Sequence, residues 1–193
     1  MADKVELPIM AFEGQQSWET WLQEHHSEKV GVWLKIAKKE SGIPSISYAE
    51  ALESALCYGW IDGQKAAFDQ QYWLQKFTPR RSKSIWSKVN CAKATLLIET
   101  GRMQAAGLRE VEMAQADGRW GVAYESQSKI TVPDDLQREL DNNPQAKDFF
   151  ATLNSTNRYA ILFRIQTAKK AETRVARIRK FVDMLARNEK IYQ

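Results

Sequence analysis

Hydrophobic residues in this chain keep two rhythms, alternating with polar neighbours in the N-terminal part and recurring at spacings of three and four further on. Glu6–Phe12 is mainly apolar with Pro8 near its start, which predicts an edge strand. Ser17 can cap a helix that carries Glu19 and Thr20 in its first turn and Trp18, Trp21 and Leu22 on one face. In Gly31–Lys38, Val32, Leu34 and Ile36 alternate with Trp33, Lys35 and Ala37, the pattern of a strand with one wet or cleft-facing side. Ser47 followed by Glu50 is a capping-box pattern, Leu52, Ala55 and Leu56 continue that helix, and Gly59 is placed to stop it. Trp60–Lys65 and Tyr72–Thr78 read as two short strands joined across Phe68–Gln71, and Pro79 ends the second because it offers no N–H to a ladder.

Beyond Pro79 the rhythm is helical. Ser84 is read as the cap of a helix starting at Ile85 and carrying Trp86, Val89, Leu96 and Leu97, ended by Gly101. A further helix covers Met103–Ala116, and Asp117–Gly121 is a turn with Arg119 and Trp120. From Val132 onward only helices are predicted. Pro133 precedes the first-turn pair Asp134 and Asp135, Asn142–Pro144 breaks the run, and Asn154–Arg158 is another junction. Tyr159, Leu162, Phe163 and Ile165 form one apolar face, and Val175, Ile178, Val182 and Leu185 form the stripe of the last helix. The predicted class is α+β. A small, mostly antiparallel sheet with packed helices fills residues 1–129, and an all-helical C-terminal module fills residues 130–193.

With 193 residues, 44% hydrophobic and 27% charged, the chain has the composition of a soluble globular protein. It has no run of about eighteen apolar residues that would span a membrane. Residues 1–10 lack the pattern of an export signal, so a cytoplasmic protein is expected. Cys57 and Cys91 are its only cysteines; two thiols make no disulfide scaffold and read as small buried apolar groups. No metal-ligand spacing and no nucleotide- or cofactor-binding loop occurs, so neither metal nor cofactor is expected. Charge is uneven: residues 158–193 hold ten Lys/Arg against three Asp/Glu, leaving 18 basic and 21 acidic residues before them. That tail offers a surface to nucleic acid or an acidic protein. Arg174, Arg177, Arg179 and Lys180 nevertheless spread around the apolar stripe instead of gathering on one side, which argues against a nucleic-acid helix.

The densest chemistry lies between Cys57 and Asn90. Arg80, Arg81, Lys83, Ser84, Ser87 and Asn90 sit where a strand gives way to a helix, with Trp60, Trp73 and Trp86 available as walls. Helix N–H groups together with guanidinium groups favour a phosphate, sulfate or carboxylate. Asp62, on the preceding strand, is the one carboxylate placed to act as a base. No second carboxylate, histidine or thiol lies near it in sequence to complete a catalytic pair. The same residues also fit a purely structural arrangement. In it Asp62 pairs with Arg80 or Arg81, the tryptophans are core, and the serine is only a cap. A binding site for a small anion, an enzyme using Asp62 on a phosphorylated or carboxylated molecule, and an interaction protein working through its basic tail all follow from these residues.

The strings CYGWIDG, FTPRRSKSIWS, GRM and DGRW, followed by VPDDL and AKKAETRVARIRK, resemble the YdeI/OmpD-associated bacteriocin-protection family. The resemblance runs from about Ser47 to the C-terminus, and residues 130–188 are similar to that family's separate C-terminal module. It implies a soluble bacterial protein and, through the family name, a part in stress resistance against antimicrobial peptides. It implies no catalytic residues.

Overall fold

The computed structural model describes residues 6–193; the first five, part of the segment screened for an export signal, lie outside the described residues. The chain separates into two compact units, one running to Trp86 and including Asn90–Val122, the other made of Ser87–Val89 and Ala123–Gln193. No helix among the described residues is long and apolar enough to cross a membrane.

In the first unit the elements are β1 (Ile9–Ala11), α1 (Gln15–His25), β2 (Val32–Ala37), α2 (Tyr48–Cys57), β3 (Trp60–Ala67), β4 (Tyr72–Pro79), α3 (Lys88–Glu99, except its first two residues) and α4 (Ala105–Ala116). The strands form one sheet in the order β1-β2-β4-β3. β1 runs parallel to β2 at the edge, and the other two pairings are antiparallel, as the alternation predicts. The capping box at Ser47 and Glu50 is formed in full. Helix α1 departs from expectation: Gly14 is its N-cap, and the Ser17 hydroxyl donates to the Gly14 carbonyl at 2.9 Å instead of capping.

Cross-strand partners share a face of a sheet, so the register sorts every side chain. Val32, Leu34 and Ile36 pair with Phe77, Gln75 and Trp73, and Asp62 pairs with Phe77. This face is covered by α1 and α2, where Trp18 meets Phe77 at 5.8 Å and stands edge-on to Trp60 at 6.4 Å between ring centroids. Gln75, the polar member, is buried there; its amide donates to the carbonyls of Gly63 and Gln64. Those carbonyls fall at the bulge between Asp62 and Lys65, where the ladder leaves acceptors without partners. The opposite face carries Trp33, Lys35, Tyr72, Leu74, Lys76 and Thr78.

The second unit holds α5 (Asp134–Asp141), α6 (Pro144–Thr152), α7 (Ser155–Gln166) and α8 (Ala171–Ala186). Asn143 and Asn154 cap α6 and α7, and Pro144 takes the first helical position. Leu136, Leu140, Phe150, Ile161, Ile165, Ile178, Val182 and Leu185 form its core. Val175, expected in the α8 stripe, is 48% exposed; Phe181 is buried in its place. Val175 lies on the first turn and a half of α8, ahead of the core stretch that begins at Ile178, so helical spacing alone overreached by one turn.

One ion pair ties α5 to α8. Arg174 donates two hydrogen bonds to the Asp135 carboxylate, at 2.5 and 2.8 Å. Hydrogen bonding to Arg174 holds the Asp135 carboxyl below its ordinary value of 3.8. A depressed folded-state pKa adds stability that is complete above the unfolded value and lost as pH falls through the folded one. Asp135→Asn should therefore lower the unfolding temperature at neutral pH, with the gap to the parent protein closing below about pH 3.8 in a pH series of thermal melts.

Candidate functional site

Beyond Pro79 the chain turns one arginine inward and the next outward. The Arg80 N–H donates to the Gly59 carbonyl at 2.9 Å, fastening the strand end to the turn after α2. Its guanidinium is buried, with its central carbon 3.5 Å from the centroid of the Trp86 ring. A cation flat against a desolvated ring is held by the ring's quadrupole, and Arg tolerates this better than the strongly hydrated Lys. Arg80 also donates to the Ile85 carbonyl at 3.4 Å. Trp86 in turn packs on Trp120, centroids 4.9 Å apart. Beside them the buried Arg119 binds the Asp117 carboxylate at 2.7 Å and the Ser84 carbonyl at 2.8 Å. Glu110 of α4 shares this cluster: burial pushes its carboxyl up, opposed by the charges of Arg80, Arg119 and Arg109.

Arg81 is exposed. Its N–H donates to the Ser84 hydroxyl at 2.9 Å while the Ser84 N–H returns a bond to its carbonyl at 2.8 Å. Ser84 thus closes a turn and caps no helix. This corrects the expected helix start: α3 begins at Lys88, not Ile85, and the Lys88 N–H donates to the Tyr124 carbonyl.

A cleft of about 560 Å³ opens at this end of the sheet, lined by Arg81, Arg80, Pro79, Thr78 and Lys76 on one side and by residues 26–31 on the other. Two contacts fix the second wall. The buried Trp60 indole N–H donates to the His26 carbonyl at 3.0 Å. Gly31 packs so closely on β4 that a Cβ there would lie 2.4 Å from the Phe77 carbonyl oxygen. Only glycine permits that approach. Lys29, Lys76 and Arg81 line the cleft, and Glu28 is its single carboxylate among the described residues.

The sequence-predicted residues separate accordingly. Arg80 and Arg81 line the cleft. Trp60 and Trp86 are core, and each supports a cleft wall from behind. Asp62 accepts a 2.8 Å hydrogen bond from the Tyr48 hydroxyl on the helix-covered face, opposite to Lys76 and Thr78. Lys83 is exposed in the turn, Asn90 is buried in the first turn of α3, and Ser87 makes an isolated bridge to Tyr124 in the second unit. Lys29, Gly31, Lys76 and Thr78 were missed. The strand alternation in Tyr72–Thr78 carried the signal for Lys76 and Thr78, whereas Lys29 and Gly31 reach the cleft only through the sheet register.

Other chemistry is sparse. Burial pushes the thiols of both Cys57 and Cys91 up to about 11, so both stay protonated and un-nucleophilic at neutral pH. Among the described residues no group of three or more His, Cys, Asp and Glu side chains is arranged to hold a metal ion.

The stacked pair makes a direct demand on stability. Arg80→Ala should lower the unfolding free energy by about 2 kcal/mol or more, the scale of a desolvated cation–π contact, whereas Arg81→Ala should leave it nearly unchanged. Chemical denaturation of the two variants distinguishes them; equal stabilities would mean that Arg80 is not a structural cation.

No curated protein and no solved structure matches the chain. Residues 129–188 match the family described as bacteriocin-protection, YdeI or OmpD-associated, in agreement with the resemblance of the C-terminal strings. Residues 10–110, which include GWIDG and TPRRSKSIWS, match a family described as a domain of unknown function (DUF8412). The chain therefore belongs to that domain family over about half its length, and carries a segment of the bacteriocin-protection, YdeI or OmpD-associated type at residues 129–188.

Proposed function

We propose that the protein binds a small polyanion of the phosphate class in the cleft between β4 and residues 26–31, as a non-catalytic cytoplasmic protein of bacteriocin and stress resistance. The observation that carries this reading is the charge of the lining: among the described residues, Lys29, Lys76 and Arg81 against Glu28. Like charges gathered at one concavity repel one another, and a bound anion relieves that repulsion. Arg81 is suited to the task because its backbone is locked by Ser84, so less freedom is lost when its guanidinium engages an oxygen pair. The Gly31 approach and the Trp60 bond hold the facing wall, so the site is preformed. Binding without catalysis is favoured because Asp62 lies on the other face of the sheet, hydrogen-bonded to Tyr48.

A thermal-shift series with phosphate, pyrophosphate and tripolyphosphate tests this. Melting temperature should rise with anion charge at low ionic strength and the rise should shrink as salt is added. Lys76→Ala and Arg81→Ala should each weaken tripolyphosphate about tenfold, the scale of one lost charge-assisted hydrogen bond. Lys39→Ala, in a separate basic recess lined by Lys38, Lys39, Lys65 and Trp73, should have no effect. No response to any anion, or a tripolyphosphate response in both cleft variants equal to that of the parent protein, would overturn the assignment.

A further inference from the structure

We infer that the cleft is one end of a longer surface that binds single-stranded nucleic acid, with Trp33 as a base-stacking platform; this rests on the reading of the cleft as a phosphate site. The face of the sheet turned away from α1 and α2 carries Trp33, Lys35, Tyr72, Leu74, Lys76 and Thr78, and none of the residues that the register of β1 to β4 places on it is acidic. Lys76 and Thr78 belong both to this face and to the cleft, so the two surfaces are continuous.

Rings and cations are interleaved along it. Trp33 stands directly opposite Lys76 in the ladder. Two residues further along β2, the Lys35 ammonium lies 4.0 Å from the centroid of the Tyr72 ring and 4.7 Å from that of Phe68. Those rings hold the lysine in place without neutralising it, because a cation–π contact leaves its charge available to an anion. The result is a half-buried tryptophan between two cations, with a third and a fourth, Lys29 and Arg81, at the cleft.

This combination favours one ligand class. Phosphates meet the cations, and an unstacked base meets the indole face. A duplex keeps its base faces inside the stack, so it gains nothing from Trp33. An acidic peptide would use the lysines but has no planar group for the ring. On the basic α8 helix, by contrast, Arg174 and Arg177 are engaged by Asp135 and the Arg164 carbonyl.

Fluorescence anisotropy with a labelled oligothymidylate, run beside the tripolyphosphate thermal shift, tests the inference. The parent protein should bind the oligonucleotide more tightly than tripolyphosphate competes for it, with affinity falling steeply in salt. Trp33→Ala should weaken the oligonucleotide about tenfold, as expected for one lost stacking contact, with Trp33→Phe recovering most of the loss and the tripolyphosphate response unchanged in both. Lys35→Ala, a substitution at a half-exposed side chain, should weaken the oligonucleotide several-fold, with a shallower salt slope, and serves if Trp33→Ala does not fold. Parent-like oligonucleotide affinity in Trp33→Ala and Lys35→Ala, or displacement by polyglutamate as effective as by unlabelled oligonucleotide, would overturn the inference and leave the phosphate cleft standing. Loss of both oligonucleotide and tripolyphosphate binding in the parent protein would remove the two together.

Discussion

The guanidinium of Arg80 lying on the Trp86 ring is the contact on which the site depends. A buried cation is costly unless its surroundings replace the water it has lost. Here an indole face and the Ile85 carbonyl take part of that water's place. The contact draws the chain after β4 back over the end of the first unit, and Trp120 and Arg119 close over it from the α4 side. With Arg80 fixed inward and the Arg81–Ser84 turn closed, Arg81 is left outside. One arginine is thus structural and its neighbour is free to bind.

The same division of labour runs through the sheet. Its helix-covered face is apolar apart from Gln75, which serves the bulge carbonyls, Asp62, which meets the Tyr48 hydroxyl, and Lys65, whose ammonium lies over the Trp73 ring. The other face keeps its lysines and rings toward solvent. A pleat that alternates every residue lets one short strand do both things. In β4, Phe77 fills the core while Lys76 and Thr78, on either side of it, line the cleft. Position and charge at the cleft are therefore consequences of core packing, since a slip of one residue in register would bury Lys76 and expose Phe77.

Much of this was legible in the sequence because it is local. The Ser47–Glu50 box, the alternation of Val32 to Ala37, the hairpin and the stop at Pro79 each depend on a few adjacent residues. The reading of Trp33 and Lys35 as a wet side of β2 also came from alternation alone. What failed depended on contacts that the local pattern does not specify, some of them close in sequence and some remote. Ser84 resembles a helix cap, but its hydroxyl finds the Arg81 N–H, and the helix waits until Lys88. Arginine is expected outside, and nothing near Arg80 signals that Trp86 will stack on it from within. Lys29 and Lys76 lie far apart along the chain and meet at one cleft only because Gly31 docks on β4. Gly31 was read as the start of a strand, and its close approach to the Phe77 carbonyl is visible only once the strands are paired.

The central claim is that adjacent arginines face opposite environments and that the outward one helps to bind an anion. Nuclear magnetic resonance of the backbone amides and arginine side chains during a tripolyphosphate titration tests it most directly. The account predicts shifts concentrated at Lys29, Gly31, Lys76, Thr78 and Arg81, with the Arg80 guanidinium protons slow to exchange and little changed. Shifts centred on Lys38, Lys39 and Lys65, or a fast-exchanging Arg80 side chain that responds as Arg81 does, would contradict it.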